Sequence, residues 1–371
     1  MGAAALSVRC FSCWAGKARA PRVSRRQKST STAVLIDGSD LLHHFHGLSS
    51  KKDKLAQSGG LCKFAEFVMR LHRDMPVDYF AVAFDCEGQC WRGETWPSYA
   101  ALRQTAAEKL GPQPRLAAEL CKELGVFHER RKGFDAYDLL STLAADAIML
   151  PHESIVTVVS NQLLAARLVS PRVRLLLPGV GDAALDEDAV VQELGVGPSQ
   201  MADLVALAGA KGLKGVPQIG RKCAAVLLRA YGDLEAVVAA AAGRRRPEVE
   251  NAESNFERLI TARRWESLKR HGPGVLETRH LLEARRVDGV ADFGSLERAE
   301  SLDVARGASW CRRAGLPALE SKVCHLGEAR QPAERASGAA RARAEASPRG
   351  GKGAPARPSR ARAEGAFQKG P

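Results

Sequence analysis

The 371-residue chain carries 55 Lys and Arg against 42 Asp and Glu, a formal net charge of +13, with 45% hydrophobic and 5% aromatic residues. That much apolar material supports a buried core, and no uninterrupted apolar run reaches the roughly 20 residues of a membrane span. The nine cysteines are scattered without a paired zinc spacing, which argues against a disulfide framework. A basic balance favours a polyanionic partner such as nucleic acid, although basic tails alone also produce such an excess. In chain order, residues 1–32 are rich in Arg, Lys, Ser and Ala and hold no acid before Asp37. This is the composition of a targeting presequence, with the mitochondrion expected ahead of plastid or nucleus, or else of a disordered basic arm. Ala33-Val34-Leu35-Ile36 then predicts a strand ending in Asp37-Gly38. Helices are expected near Leu61–Arg73, Arg115–Leu124 and Asp138–Ala147, and further strands at Tyr79–Phe84, Ile155–Val159 and Val173–Leu177. Strands alternating with helices predict an α/β fold with a mainly parallel sheet, whose sites form beyond the carboxyl ends of the strands. From there to about residue 320 the pattern is mostly helical. Residues 327–371 are an Ala-, Arg-, Gly- and Pro-rich basic tail expected to be disordered.

Specific motifs recur in a fixed order. They are Val34-Leu35-Ile36-Asp37-Gly38-Ser39 with Phe45-His46; Ala83-Phe84-Asp85 with Trp91-Arg92, Tyr99 and Arg103; Gly133-Phe134-Asp135-Ala136-Tyr137-Asp138; and Gly215-Val216-Pro217-Gln218-Ile219-Gly220-Arg221-Lys222. In this order and spacing they resemble the 5′–3′ exonuclease and flap endonuclease family, the 5′-nuclease domain of bacterial DNA polymerase I, over about residues 33–320. The resemblance implies a PIN-like parallel sheet with a helical arch over residues 33–200, and a helix-hairpin-helix part over 201–326. It implies cleavage of 5′ ends or flaps in replication or repair, by a monomer that does not enter membranes, through carboxylates holding Mg2+ or Mn2+. Two such ions sit about 4 Å apart in this chemistry.

Asp37, Asp85, Asp135 and Asp138 match the family's metal-binding acids. The capping alternatives are an Asp-Gly turn for Asp37 and a helix cap for Asp135. Arg103 matches a residue that steers the scissile phosphate. Several acids are missing. Tyr137 replaces one, Gln162 and Leu164 stand where an Asp-x-Asp pair belongs, and the stretch Ala208 to Gly215 has Lys211 and Lys214 but no acid. Ala100 stands where the arch carries a lysine. Weakened metal binding, a single ion rather than two, or no catalysis is therefore expected, and a non-catalytic binder of branched or gapped DNA is the alternative function. Asp40 or Asp182 could move into the depleted site. Gly215, Val216, Gln218, Ile219, Gly220, Arg221 and Lys222 are expected to bind DNA phosphates without reading sequence, with Arg92, Lys211 and Lys214 adding charge. An ordinary tight turn is the alternative for the hairpin. Trp91, Trp96 and Tyr99 either stack on frayed bases or pack in the core. His43, His44 and His46 are read as helix residues without a metal.

Overall fold

The computed structural model describes residues 31–49, 59–75, 77–149, 154–178, 184–210, 213–243, 256–290, 299 and 301–328. The leader and most of the basic tail, Asp182 and Lys211 lie outside them. The strands are β1 (Thr32–Asp37), β2 (Tyr79–Phe84), β3 (Phe127–Arg130), β4 (Ile155–Val159) and β5 (Val173–Leu176). All pair in parallel in the order β3-β2-β1-β4-β5, so the mainly parallel sheet read from the sequence is present. Between the strands run α1 (Gly38–Gly47), α2 (Gly59–Asp74), α3 (Trp91–Thr95), α4 (Pro97–Leu110), α5 (Gln113–Glu123) and α6 (Ala136–Met149). After β5 come α7 (Glu187–Leu194), α8 (Met201–Ala208), α9 (Arg221–Tyr231), α10 (Leu234–Ala242), α11 (Phe256–Leu259), α12 (Ala262–Leu281), α13 (Val304–Arg313) and α14 (Pro317–Glu328).

Both faces of the sheet are covered, which is why its central strands read as unbroken apolar runs rather than alternating ones. Along β1 the side chains still alternate between two cores. Ala33 and Leu35 join Ala81, Ala83, Val156 and Val158 beneath α6 and α8–α10. Val34 and Ile36 join Val82 and Phe84 beneath α1, α2, α5, α13 and α14. The first cluster runs from the sheet to Trp265 and Leu268 of α12, within a compact unit that extends to Gly327. Strand β3 had no sequence signal because it is a short edge strand of sequence Phe-His-Glu-Arg, half-buried throughout. No helix among the described residues is long and apolar enough to cross a membrane.

Gly38 explains how the acidic edge is built. A Cβ there would meet the Phe84 ring at 2.5 Å and Val82 at 2.7 Å. Only glycine lets α1 start directly off β1 against β2, which seats Asp37 at the strand end with Asp40 in the first turn of the helix.

Candidate functional site

The acids gather where β1 parts from its two neighbours, the point at which an open parallel sheet forms its crevice. Asp37 ends β1 and is 1% exposed. Its Oδ1 accepts from the Asp40 amide at 2.9 Å, capping α1. Its Oδ2 accepts from Ser160 Oγ and from Gln162 Nε2, each at 3.1 Å. Asp40 Oδ2 accepts from the Asn161 amide at 2.6 Å and lies 3.4 Å from Ser160 Oγ. Asp40 thus does stand beside Asp37, on the turn after β4. Asp85 follows β2, accepts the Ala136 amide at the start of α6 at 2.8 Å, and is tied through its own amide to Ser39 Oγ.

Burial, then the neighbouring charges of Asp40 and Asp85, hold the Asp37 carboxyl well above its ordinary pKa. Burial and then Asp135 raise that of Asp85. An acid whose folded-state pKa is raised binds more protons folded than unfolded. Its stabilising contribution is therefore present at low pH and lost as pH rises through the raised value. Wild-type stability is expected to rise as pH is lowered from neutrality to pH 5, and Asp37→Asn to flatten that dependence. Urea midpoints at the two pH values check this; an Asp37→Asn profile parallel to wild type would refute it.

Asp135 and Asp138 require a correction. The i, i+3 pair does share a face, but it faces arginine. Arg92, only 4% exposed, donates from Nη1 to Asp138 Oδ2 at 2.6 Å and to Asp135 Oδ2 at 2.9 Å, and from Nη2 to Asp138 Oδ1 at 2.8 Å. Trp91 Nε1 at 3.1 Å, the Asp135 amide at 3.2 Å and the Arg285 amide at 2.9 Å complete the shell of Asp138. Both its oxygens are spent, so Asp138 is a buried hub and has no lone pair directed at a metal. Arg92 is corrected likewise. Burial alone would lower its pKa, but the Asp138 pairing and the charge of Asp135 outweigh that and raise it, and its donors are taken up inside the protein. Asp135 also accepts from the Tyr99 hydroxyl at 2.9 Å. Its Oδ1 has no hydrogen-bond partner, with Arg103 Nε 3.3 Å away as an ion pair.

Arg103 lies at the site but folds back onto the loop after β2, donating to the carbonyl oxygens of Cys86 at 2.9 Å and Gly88 at 3.1 Å. Tyr137 is buried and its phenol is pushed up to about 12 by burial, so it cannot supply the missing negative charge. Of the arch aromatics, Trp91 is buried at the hub, and Trp96 stacks on Tyr99 at 6.0 Å. His43, His44 and His46 are half-buried on α1.

This donor set does not fit a two-ion site. Among the described residues no group of three His, Cys, Asp or Glu stands close enough to hold a metal ion. Where an Asp-x-Asp pair would supply oxygens, Gln162 donates its amide to Asp37, and Leu164 packs against the apolar cluster. Two guanidiniums lie beside Asp135.

The hairpin between α8 and α9 is better preserved. The Val216 amide bonds Leu207 O at 2.8 Å and the Ile219 amide bonds Val216 O at 3.1 Å. The side chains of Val216 and Ile219 are each 2% exposed. They anchor the hairpin in the core, which corrects them as DNA contacts through their side chains. Lys214, Gln218, Gly220, Arg221 and Lys222 are exposed and Gly215 is half-buried. Gly220 caps α9 without a side chain, so the first amides of that helix have no side-chain cap and suit an anion. The Ser267 hydroxyl of α12 bonds Pro217 O at 2.6 Å and fixes the loop. Gln218 is the one non-glycine with positive φ among the described residues, at 70°. Gln218→Gly is expected to stabilise the fold by about 0.5 kcal/mol; a fall in melting temperature would contradict this.

Asp40 and Arg103 were visible in the sequence. The sequence reading missed Ser39, Ser160 as a donor to acids, and the hub formed by Trp91, Arg92 and Arg285. Neighbouring Trp-Arg ahead of an acid pair was the available signal for the hub.

Comparison with known proteins agrees with this architecture. Residues 32–195 match the model of the 5′–3′ exonuclease N-terminal resolvase-like domain. Over 349 residues the chain is 29% identical to DNA polymerase I of Mycobacterium tuberculosis, covering 81% of this chain and 38% of the polymerase. It is 29% identical over 213 residues to the flap endonuclease Xni of Aeromonas hydrophila, covering 56% of this chain and 78% of that protein. The chain thus spans well under half the length of its polymerase relatives. Its fold is similar to the bacteriophage T5 flap endonuclease crystallised with DNA and metal ions, with a TM-score of 0.50 at 16% identity over 80% of this chain and 99% of that one. It is also similar to the catalytic core of Rad2 in complex with DNA substrate, with a TM-score of 0.53 at 14% identity over 80% and 92%.

Proposed function

Because residues 32–195 match the 5′–3′ exonuclease N-terminal domain and the chain is similar to DNA polymerase I and to flap endonuclease Xni, we propose that it is a member of the 5′–3′ exonuclease and flap endonuclease family that binds DNA at 5′ ends, flaps, branches or gaps and holds it without two-metal hydrolysis. The observation that carries this reading is the Arg92 bridge, which takes both oxygens of Asp138 and one of Asp135. The hairpin meanwhile keeps Arg221, Lys222 and an open helix N-terminus exposed. A hairpin of this kind grips backbone phosphates and so follows the shape of the duplex rather than its sequence. Any role in replication or repair, and a mitochondrial destination carried by residues 1–32, belong to the same proposal.

A labelled 5′-flap duplex tested in EDTA checks it. Binding is expected to persist without divalent ions and to weaken with salt. Replacing Arg221 and Lys222 by alanine together is expected to lower the logarithmic salt slope by about 2. Binding that appears only with Mg2+ or Mn2+, or that prefers duplex RNA, would overturn it.

A second reading, metal-dependent 5′–3′ hydrolysis, has one observation in its favour. Burial and the charges of Asp40 and Asp85 raise the proton affinity of Asp37, and burial and Asp135 raise that of Asp85, which is the electrostatic state of acids that would gain from a bound ion.

A further inference from the structure

Among the described residues, one arginine of the hub has no counterpart to its charge. Arg285 is exposed, and its guanidinium carbon lies 3.6 Å from the centroid of the Trp91 ring. Its backbone is pinned on both sides: its own amide bonds Asp138 Oδ1 at 2.9 Å, Arg286 pairs with Asp146 at 2.7 Å, and the Val287 amide bonds Thr142 Oγ1 at 3.1 Å. The platform is equally fixed. Trp91 is 8% exposed, its amide bonds Gly133 O at 2.9 Å, and its indole N–H is held by Asp138.

A guanidinium stacked on an aromatic face keeps its in-plane N–H fork free, the geometry that matches a phosphate. Arg92 lies 4.3 Å from the same ring, but its charge is met by Asp135 and Asp138. The guanidinium of Arg285 has no hydrogen-bond or ion-pair partner among the described residues. Its place and order are thus set by the protein, while its donors are left for something else.

We propose that Arg285 is a phosphodiester-binding residue that receives the DNA backbone at the base of the arch, with Trp91 as its platform. This rests on the DNA-binding reading above and adds a contact outside the hairpin. Holding the fork in place reduces the ordering entropy that a free arginine would lose on binding.

Fluorescence anisotropy with a labelled 5′-flap duplex, over a salt series, tests the assignment. Arg285→Ala and Arg285→Gln are each expected to lower the logarithmic salt slope by about 1 and to weaken binding about eightfold near 0.1 M salt, the loss of a single phosphate contact. Melting temperatures should stay close to wild type, since the side chain is exposed. If the wild type binds and both variants share its slope and affinity, the assignment of Arg285 falls alone. If the wild type fails to bind the duplex, the DNA-binding reading falls and takes the assignment with it.

Discussion

Arg92→Ala is expected to destabilise the fold by about 4 kcal/mol, because breaking a buried ion pair from one side strands the other charge. Asp138 is fully buried and Asp135 nearly so, and without Arg92 the ion pair that remains is that of Arg103 with Asp135, at 3.3 Å. The loss goes beyond charge. Arg92 also donates from Nε to Leu281 O at 2.8 Å and from Nη2 to Glu283 O at 2.9 Å, so it joins α3 at the arch base to the end of α12. Urea unfolding would read the effect. Adding Asp138→Asn to Arg92→Ala should recover about 1–2 kcal/mol by removing the stranded carboxylate. Two losses that simply add would contradict the bridge.

Gly215→Ala is expected to cost about 3 kcal/mol and to weaken DNA binding along with it. A Cβ at this position would lie 2.2 Å from the Gly209 amide nitrogen, 2.5 Å from the Ala208 carbonyl carbon and 2.5 Å from Leu207 O. All three are backbone atoms, which cannot rotate aside as a side chain would. The end of α8 and the start of the hairpin would have to separate, breaking the bond from the Val216 amide to Leu207 O. Thermal melts read the first effect and flap-duplex titration the second. A Gly215→Ala protein that melts with wild type would mean that the hairpin is not packed as described.

The sheet was legible in the sequence because its strands are buried on both faces, which leaves short apolar runs such as Ala33 to Ile36, the first two of them closed by Asp37 and Asp85. The hairpin was legible because Gly215 and Gly220 bracket a fixed turn. The acids themselves could be found, but their partners could not. That Asp138 meets Arg92 depends on α3 packing across 46 residues of sequence onto α6, a distance over which spacing says nothing. The same limit hid Gln162. Its identity showed that an acid was lost, but only the fold shows that its amide now donates to Asp37. Val216 and Ile219 were read as part of the phosphate-binding turn, and only the fold shows that both of their side chains are buried in the core.

The most direct test incubates the chain with a labelled 5′-flap duplex and Mg2+ or Mn2+ beside an Asp135→Ala variant, following binding and cleavage together. Salt-sensitive binding with no cleavage in either metal is the expected result. Cleavage by the wild type that disappears in Asp135→Ala would contradict it, and would mean that the acids left around Arg92 and Arg103 still assemble a working nuclease.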